Sequence, residues 1–188
     1  MSGADADNVR MMRRLGLPLG RVASGCLCLA LLGAVTGCSP ILDGRTGITR
    51  DVAGNLVGLA KACEGEYDGA GIYQDDDPNA QTMVHVAEWS RQNPSAALLT
   101  WTLEDEGADA WTTSEPLTAS ALTSGHTYVL DAFGDLQKWS ADELRFTVED
   151  LTAITADTVL VTKTDPKTGA SGQAIIPRDQ FPASVCTP

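Results

Sequence analysis

Basic side chains are scarce in this sequence, histidine is nearly absent, and all long apolar runs but one are missing. Thirteen Lys and Arg stand against 25 Asp and Glu, a formal net charge of −12, and only four of the thirteen are lysine. Such a surplus repels phosphate, which argues against nucleic acid as a partner. It repels anionic lipid headgroups as well. The two histidines, His85 and His126, fall short of the three or four ligands of a zinc site. A Ser-His-Asp hydrolase would need one of them as its base, and there is no G-x-S-x-G elbow to carry the nucleophile. No glycine-rich loop follows a strand and opens a helix, so nucleotide binding has no support. No long amphipathic helix is visible, which argues against a parallel α/β fold. The reading therefore assigns no catalytic residue and no cofactor. Paired carboxylates for glycoside cleavage stay open, because an acidic chain offers many pairs and spacing singles out none.

The one long apolar run is residues 22–35, VASGCLCLALLGAV, preceded by Arg10, Arg13, Arg14 and Arg21. A basic start, an apolar core and a small-residue exit are the order of a secretory signal. At about 14 residues the core is shorter than the roughly 20 a spanning helix needs. The run ends in Val35-Thr36-Gly37-Cys38, which resembles the bacterial lipobox, an apolar and two small residues before a cysteine. The resemblance implies a cleaved signal peptide over 1–37, diacylglycerol on the Cys38 thiol, a lipidated tether over 38–45 and a folded domain over 46–188. It also implies a place on the outer side of the cell membrane. The mature chain would keep 151 residues, with 9 basic against 23 acidic side chains. Acyl chains, two of which anchor stably, would then hold to the membrane a body whose own surface does not.

Of the five cysteines, Cys26 and Cys28 fall within the signal and Cys38 at the lipobox. Cys63 and Cys186 remain. In an exported domain such a pair reads as a disulfide, with two separate buried thiols as the alternative. The bridge would close a 124-residue loop, for which chain entropy gives about 5 kcal/mol as an upper figure.

The rest of the chain reads as short strands separated by turns: 47–52, 56–62, 69–73, 82–89, 96–103, 111–117, 127–133, 144–148, 157–163 and 172–177. Gly54-Asn55 supplies a hairpin turn between the first two. Pro116 marks 111–117 as an edge strand, and Asn93-Pro94-Ser95 reads as a loop. Thr147 and Asp150 suggest a capped helical turn, and residues 178–181 another. Turn signals about every ten residues point to an all-β fold, a single antiparallel β-sandwich of the immunoglobulin/fibronectin-like kind. A small β-barrel is the alternative.

Asp75, Asp77 and Asn79 match the first, third and fifth ligand positions of a calcium loop. Ala80 replaces the glycine at position six and Val86 the glutamate at twelve, so both required features fail and a solvated acidic loop is the expectation. Trp111 and Trp139 lie beside loops and are candidates to face a ligand, since exposed aromatics stack on sugars and partner surfaces. Trp101, inside an apolar strand, reads as core.

Further features are Gly47-Ile48-Thr49 with Asp51, Gly54-Asn55, Asp68-Gly69 before Ile72-Tyr73, Phe146-Thr147 with Asp150-Leu151, and cysteines at both ends of the domain. In these the mature pattern resembles uncharacterised lipoproteins of high-GC actinobacteria. The resemblance implies an extracytoplasmic, lipid-anchored protein. The function expected is binding or scaffolding at the cell envelope, with an envelope protein or glycan as partner. A hydrolase acting on glycan or peptide is the alternative.

Overall fold

The computed structural model describes residues 39–77, 83–104, 110–118 and 120–186. Eleven strands carry the fold: β1 (Ile41–Arg50), β2 (Leu56–Lys61), β3 (Tyr67–Gln74), β4 (Val84–Ser95), β5 (Leu99–Thr102), β6 (Trp111–Glu115), β7 (Tyr128–Gly134), β8 (Trp139–Asp142), β9 (Leu144–Phe146), β10 (Thr158–Thr164) and β11 (Ser171–Pro177). One short helix, α1 (Phe181–Val185), closes the described chain, preceded by a 3-10 turn over Arg178–Gln180. No helix among the described residues is long and apolar enough to cross a membrane.

All eleven strands belong to one hydrogen-bonded network, running β11-β10-β1-β8-β7-β3-β4-β6, with β2 and β5 branching from β1 and β9 from β7. The fold is all-β. The sheet curls into a nearly closed, barrel-like wall, which agrees with the barrel alternative; the two separate sheets of a sandwich are not confirmed. Nor is every pairing antiparallel: β1 and β8 run parallel, with Ile41 opposite Trp139 and Leu42 opposite Ser140.

Strand β1 organises the wall. Its first residues pair with β8, and Arg45 to Arg50 pair with β2. The β8 ladder shifts register at an irregularity between Leu42 and Arg45, and Arg45 pairs with β8 and β2 alike. There Gly44 has φ +100°, and a Cβ on it would lie 2.0 Å from the Lys61 carbonyl oxygen. Only glycine fits. Beside it the buried Asp43 carboxylate accepts the backbone N–H groups of Cys63 (3.1 Å), Glu64 (3.1 Å) and Gly65 (2.7 Å). Farther along β1, buried Thr46 donates to the Asp142 carbonyl (2.9 Å) and Thr49 to the Thr158 carbonyl (2.6 Å). Ile41 to Arg45, read from the sequence as tether, are therefore already sheet.

The main core fills the wall with Trp89, Trp101, Trp111, Tyr67, Tyr128, Phe146 and aliphatic neighbours. Trp101 packs against Trp89 (centroids 6.2 Å apart) and Trp111 (4.9 Å), joining β4, β5 and β6, although β5 and β6 share no ladder. A second cluster of Leu59, Val159, Val161 and Phe181 lies under α1. The Cys63–Cys186 disulfide, Cα atoms 5.5 Å apart, pins the end of that cover to the end of β2, and Lys61 Nζ donates to the Pro182 carbonyl (3.0 Å).

Two differences from the sequence reading have local causes. Strand β4 continues through Asn93-Pro94-Ser95 because its ladder with β3 jumps from Gly69–Ser90 to Tyr67–Ser95, which leaves Pro94 in a bulge where no N–H is needed. Strand β8 was not read at all. Its turn carries three consecutive left-handed residues, Asp135, Leu136 and Gln137 (φ 48°, 54° and 68°), none of them glycine. The Thr147–Asp150 cap is present: the Thr147 N–H and Oγ1 both donate to Asp150 Oδ2, at 2.7 and 2.9 Å.

Asp43→Ala leaves three backbone donors unmet, and a loss of about 3 kcal/mol in urea unfolding is expected. Asp51→Ala is the control. Asp51 caps an exposed hairpin through Ala53 and Asn55, and its loss should cost about 1 kcal/mol or less. Equal costs would show that the Asp43 clasp is not a principal tie of β1.

Candidate functional site

Strand alternation sets up the site. Strand β7 turns Tyr128, Leu130 and Ala132 into the core, so Val129, Asp131 and Phe133 share the opposite face. On that face lies a cleft of about 310 Å³, which these three residues line together with Tyr73, Ser140 and Glu143. Pro40, Met83 and Gln137 form its remaining edge. Across the β3 ladder, Gly69 lies opposite Phe133 and Gly71 opposite Asp131. Both glycines are covered by rings. A Cβ on Gly69 would lie 2.0 Å from the Phe133 ring, and one on Gly71 would lie 2.7 Å from the Tyr73 hydroxyl. The missing side chains let two aromatic rings settle against the sheet on either side of a carboxyl group.

Asp131 is the chemical centre. The Ser140 hydroxyl donates to its carboxyl oxygens at 3.1 and 3.3 Å. Burial, reinforced by the charge of Glu143, pushes the carboxyl up to about 7, against the opposing hydrogen bonds from Ser140 and the Ala132 amide. Burial and then the charges of Glu88, Asp131 and Glu143 raise the Tyr73 phenol. Glu143 stands in the link between β8 and β9, where Thr162 Oγ1 donates to its carbonyl at 2.5 Å. Asp142 is also raised by burial, opposed by Arg45.

Two further hollows lie along β8 or its turn. One, about 500 Å³, shares Ser140 and Glu143 with the cleft and adds Arg145 and Gln173. The other, about 490 Å³, is an acidic groove lined by Glu64, Glu66, Asp68, Asp135 and Trp139. All three border β8 or its strained turn, whose Leu136 is 99% exposed.

The residues singled out in the sequence are dispersed. Trp111 is 2% exposed and belongs to the core. The expectation that it faces a ligand is corrected: it stacks on Trp101 where the barrel wall lacks a ladder. Trp139 is partly buried, lines the acidic groove and has Lys138 Nζ 5.2 Å from its ring centroid. Asp75 is buried and paired with Arg145, so it does not join Asp77 in a calcium loop; Asn79 lies outside the described residues. Asp76, not proposed, instead receives the Thr127 N–H (2.9 Å) and Gln74 Nε2 (2.6 Å) and lies 2.6 Å from His126 Nδ1. Those contacts hold its carboxyl down at about 2. His85 sits at the surface between Glu88 (3.1 Å) and Glu115 (2.8 Å). No group of three or more His, Cys, Asp or Glu placed to hold a metal occurs among the described residues. Cys38 lies outside them.

Sequence reasoning missed Asp131, Tyr73, Phe133 and Glu143. The available signal was an ionisable residue inside the apolar strand YVLDAF, opposite a strand with glycines at alternate positions. No family model, curated protein or solved structure matches this chain.

The unfolded Asp131 carboxyl loses its proton near 3.8 and the folded one near 7. Between those values the folded state holds more protons, so this group lowers stability as pH rises, by about 4 kcal/mol at most once both forms are ionised. Asp131→Asn should therefore match the parent in denaturant unfolding at pH 4 and exceed it by a few kcal/mol at pH 8. A constant difference between the two pH values would remove Asp131 as a half-buried, proton-bearing group.

Proposed function

We propose that this protein is a lipid-anchored, extracytoplasmic binding protein of the cell envelope, with the cleft around Asp131 as its ligand site. The cleft carries the reading: two rings and two carboxyl groups converge in a space at the lower end of small-molecule pockets. The lipobox resemblance at Cys38 supports the anchor. In sequence the cleft-edge residue Pro40 follows Cys38 by two residues, a span of at most about 8 Å. An anchored protein would thus present the cleft near the bilayer, to envelope components rather than to distant soluble ones. Scaffolding of an envelope protein through the acidic groove at Trp139 belongs to the same reading.

One observation favours the hydrolase alternative. Asp131 and Glu143 share a cleft, and two carboxyl groups facing one space are the arrangement from which an acid and a base can be drawn. Against it, the hydroxyl that touches Asp131 donates to it, and neither His85 nor His126 lines the cleft.

Two measurements decide. Mass spectrometry of the membrane fraction should find an N-terminal Cys38 carrying diacylglycerol; an unmodified Cys38, or a retained Met1 or Met11, sinks the anchor. Envelope glycans and peptides added to purified protein should change its tryptophan fluorescence saturably and be recovered intact. Turnover of any of them that Asp131→Asn and Glu143→Gln both abolish would replace binding with hydrolysis.

A further inference from the structure

The cleft is charged on one side only. Nine residues line it; Asp131 and Glu143 are among them, and none is Lys, Arg or His. The hydrogen-bond partners of Asp131 are the Ser140 hydroxyl and the Ala132 amide, both neutral. Its ring neighbours, Tyr73 and Phe133, offer electron-rich faces, which attract cations within about 6 Å. Glu88, opposite Gly71 on β4, adds negative charge felt at Tyr73. Anions are repelled from such a place, and neutral ligands leave the carboxyl without a counter-charge. A cation meets both the rings and the carboxylates.

We infer that the cleft takes a small cationic amine, with its ammonium between Asp131 and Glu143 and its apolar part against Tyr73 and Phe133. This rests on the binding reading above and names the ligand chemistry of the same site. The compact volume, about 310 Å³, suits a ligand of roughly ten heavy atoms rather than a chain.

A proton consequence follows. Asp131 must ionise to receive the ammonium, so binding expels a proton to solvent where the free carboxyl still holds one. Affinity rises with pH up to about 7 and levels off above it. The groups set against Asp131 are Tyr67 and Tyr73 from β3, and Ser140 and Glu143 from β8 and its link to β9; Glu88 and His85 of β4 act on Tyr73. His85 is in ring contact with Tyr73 at 5.4 Å, so a group other than Asp131 stands beside the cleft. The test must therefore assign the proton.

Full-length protein in detergent is titrated with benzylamine, benzyl alcohol and benzoate, which share a ring and differ in charge, while the amide NMR signals of β7 are followed. Benzylamine is expected to shift those signals with about tenfold higher affinity at pH 8 than at pH 6. Benzyl alcohol should bind about tenfold more weakly at pH 8, and benzoate not at all. Asp131→Asn, its spectrum otherwise folded, should lose about tenfold in benzylamine affinity together with the pH dependence; Glu143→Gln should lose affinity and keep the pH dependence. Equal binding of alcohol and amine, or an unchanged Asp131→Asn, overturns the amine inference and leaves the binding reading standing. Silence of the β7 signals with all three probes overturns both.

Discussion

Three backbone N–H groups converge on the Asp43 carboxylate, and the path of the chain on both sides depends on that clasp. It holds the Cys63–Gly65 turn against β1 at the point where Gly44 bends the strand. The bend lets one strand serve two sets of neighbours. From Ile41 to Arg45 β1 lies parallel to β8, and from Arg45 onward it pairs with β2 and then also with β10. A straight β1 could not close the wall, since β8 and β10 occupy the same side of it in succession. The disulfide adds to the same corner, because Cys63 is both a clasp donor and the anchor point of the C-terminal cover. A buried carboxylate is tolerable here because its oxygens are met by donors fixed in the backbone, which need no reorganisation and little side-chain entropy.

What the sequence made legible was local. The β1–β2 hairpin announced itself through Gly54-Asn55, the Thr147–Asp150 cap through its spacing, and the bridge through Cys63 and Cys186, the two cysteines beyond residue 38. Each depends on residues near in sequence or on simple counting. What it hid were choices made by distant contacts. Trp111 looked exposed because acidic and turn residues surround it, yet Trp101 claims it across a gap in the wall. Asp75 read as part of a solvated acidic loop, yet it is buried and Arg145, seventy residues on, claims it. Strand β8 has only four residues and follows a turn of left-handed, non-glycine backbone. No propensity rule marks such a strand, since it exists through pairing with the start of β1 and the end of β7.

The hidden strand is also the one around which the surface hollows gather. Ser140 reaches Asp131, Glu143 follows directly, and Trp139 fills the neighbouring groove. The candidate cleft thus sits where local sequence preference and final structure agree least. That pattern is expected when a site, rather than stability, selects the residues.

Two separate costs fall on this one place. Left-handed backbone at Asp135, Leu136 and Gln137 is unfavourable for ordinary side chains, by about 1 kcal/mol or more each. A carboxyl group in an apolar strand must shed its hydration or keep its proton. Neither cost helps the barrel to fold: glycine would relax the turn, and an aliphatic residue at 131 would lie comfortably between Val129 and Phe133. Along β1 and β10 the buried hydroxyls of Thr46, Thr49 and Thr162 are met by backbone carbonyls. The contrast is the physical argument for function at the cleft. A fold that meets the buried hydroxyls of β1 and β10 with fixed carbonyls retains, beside β8, an acid without a counter-ion and a turn without glycine.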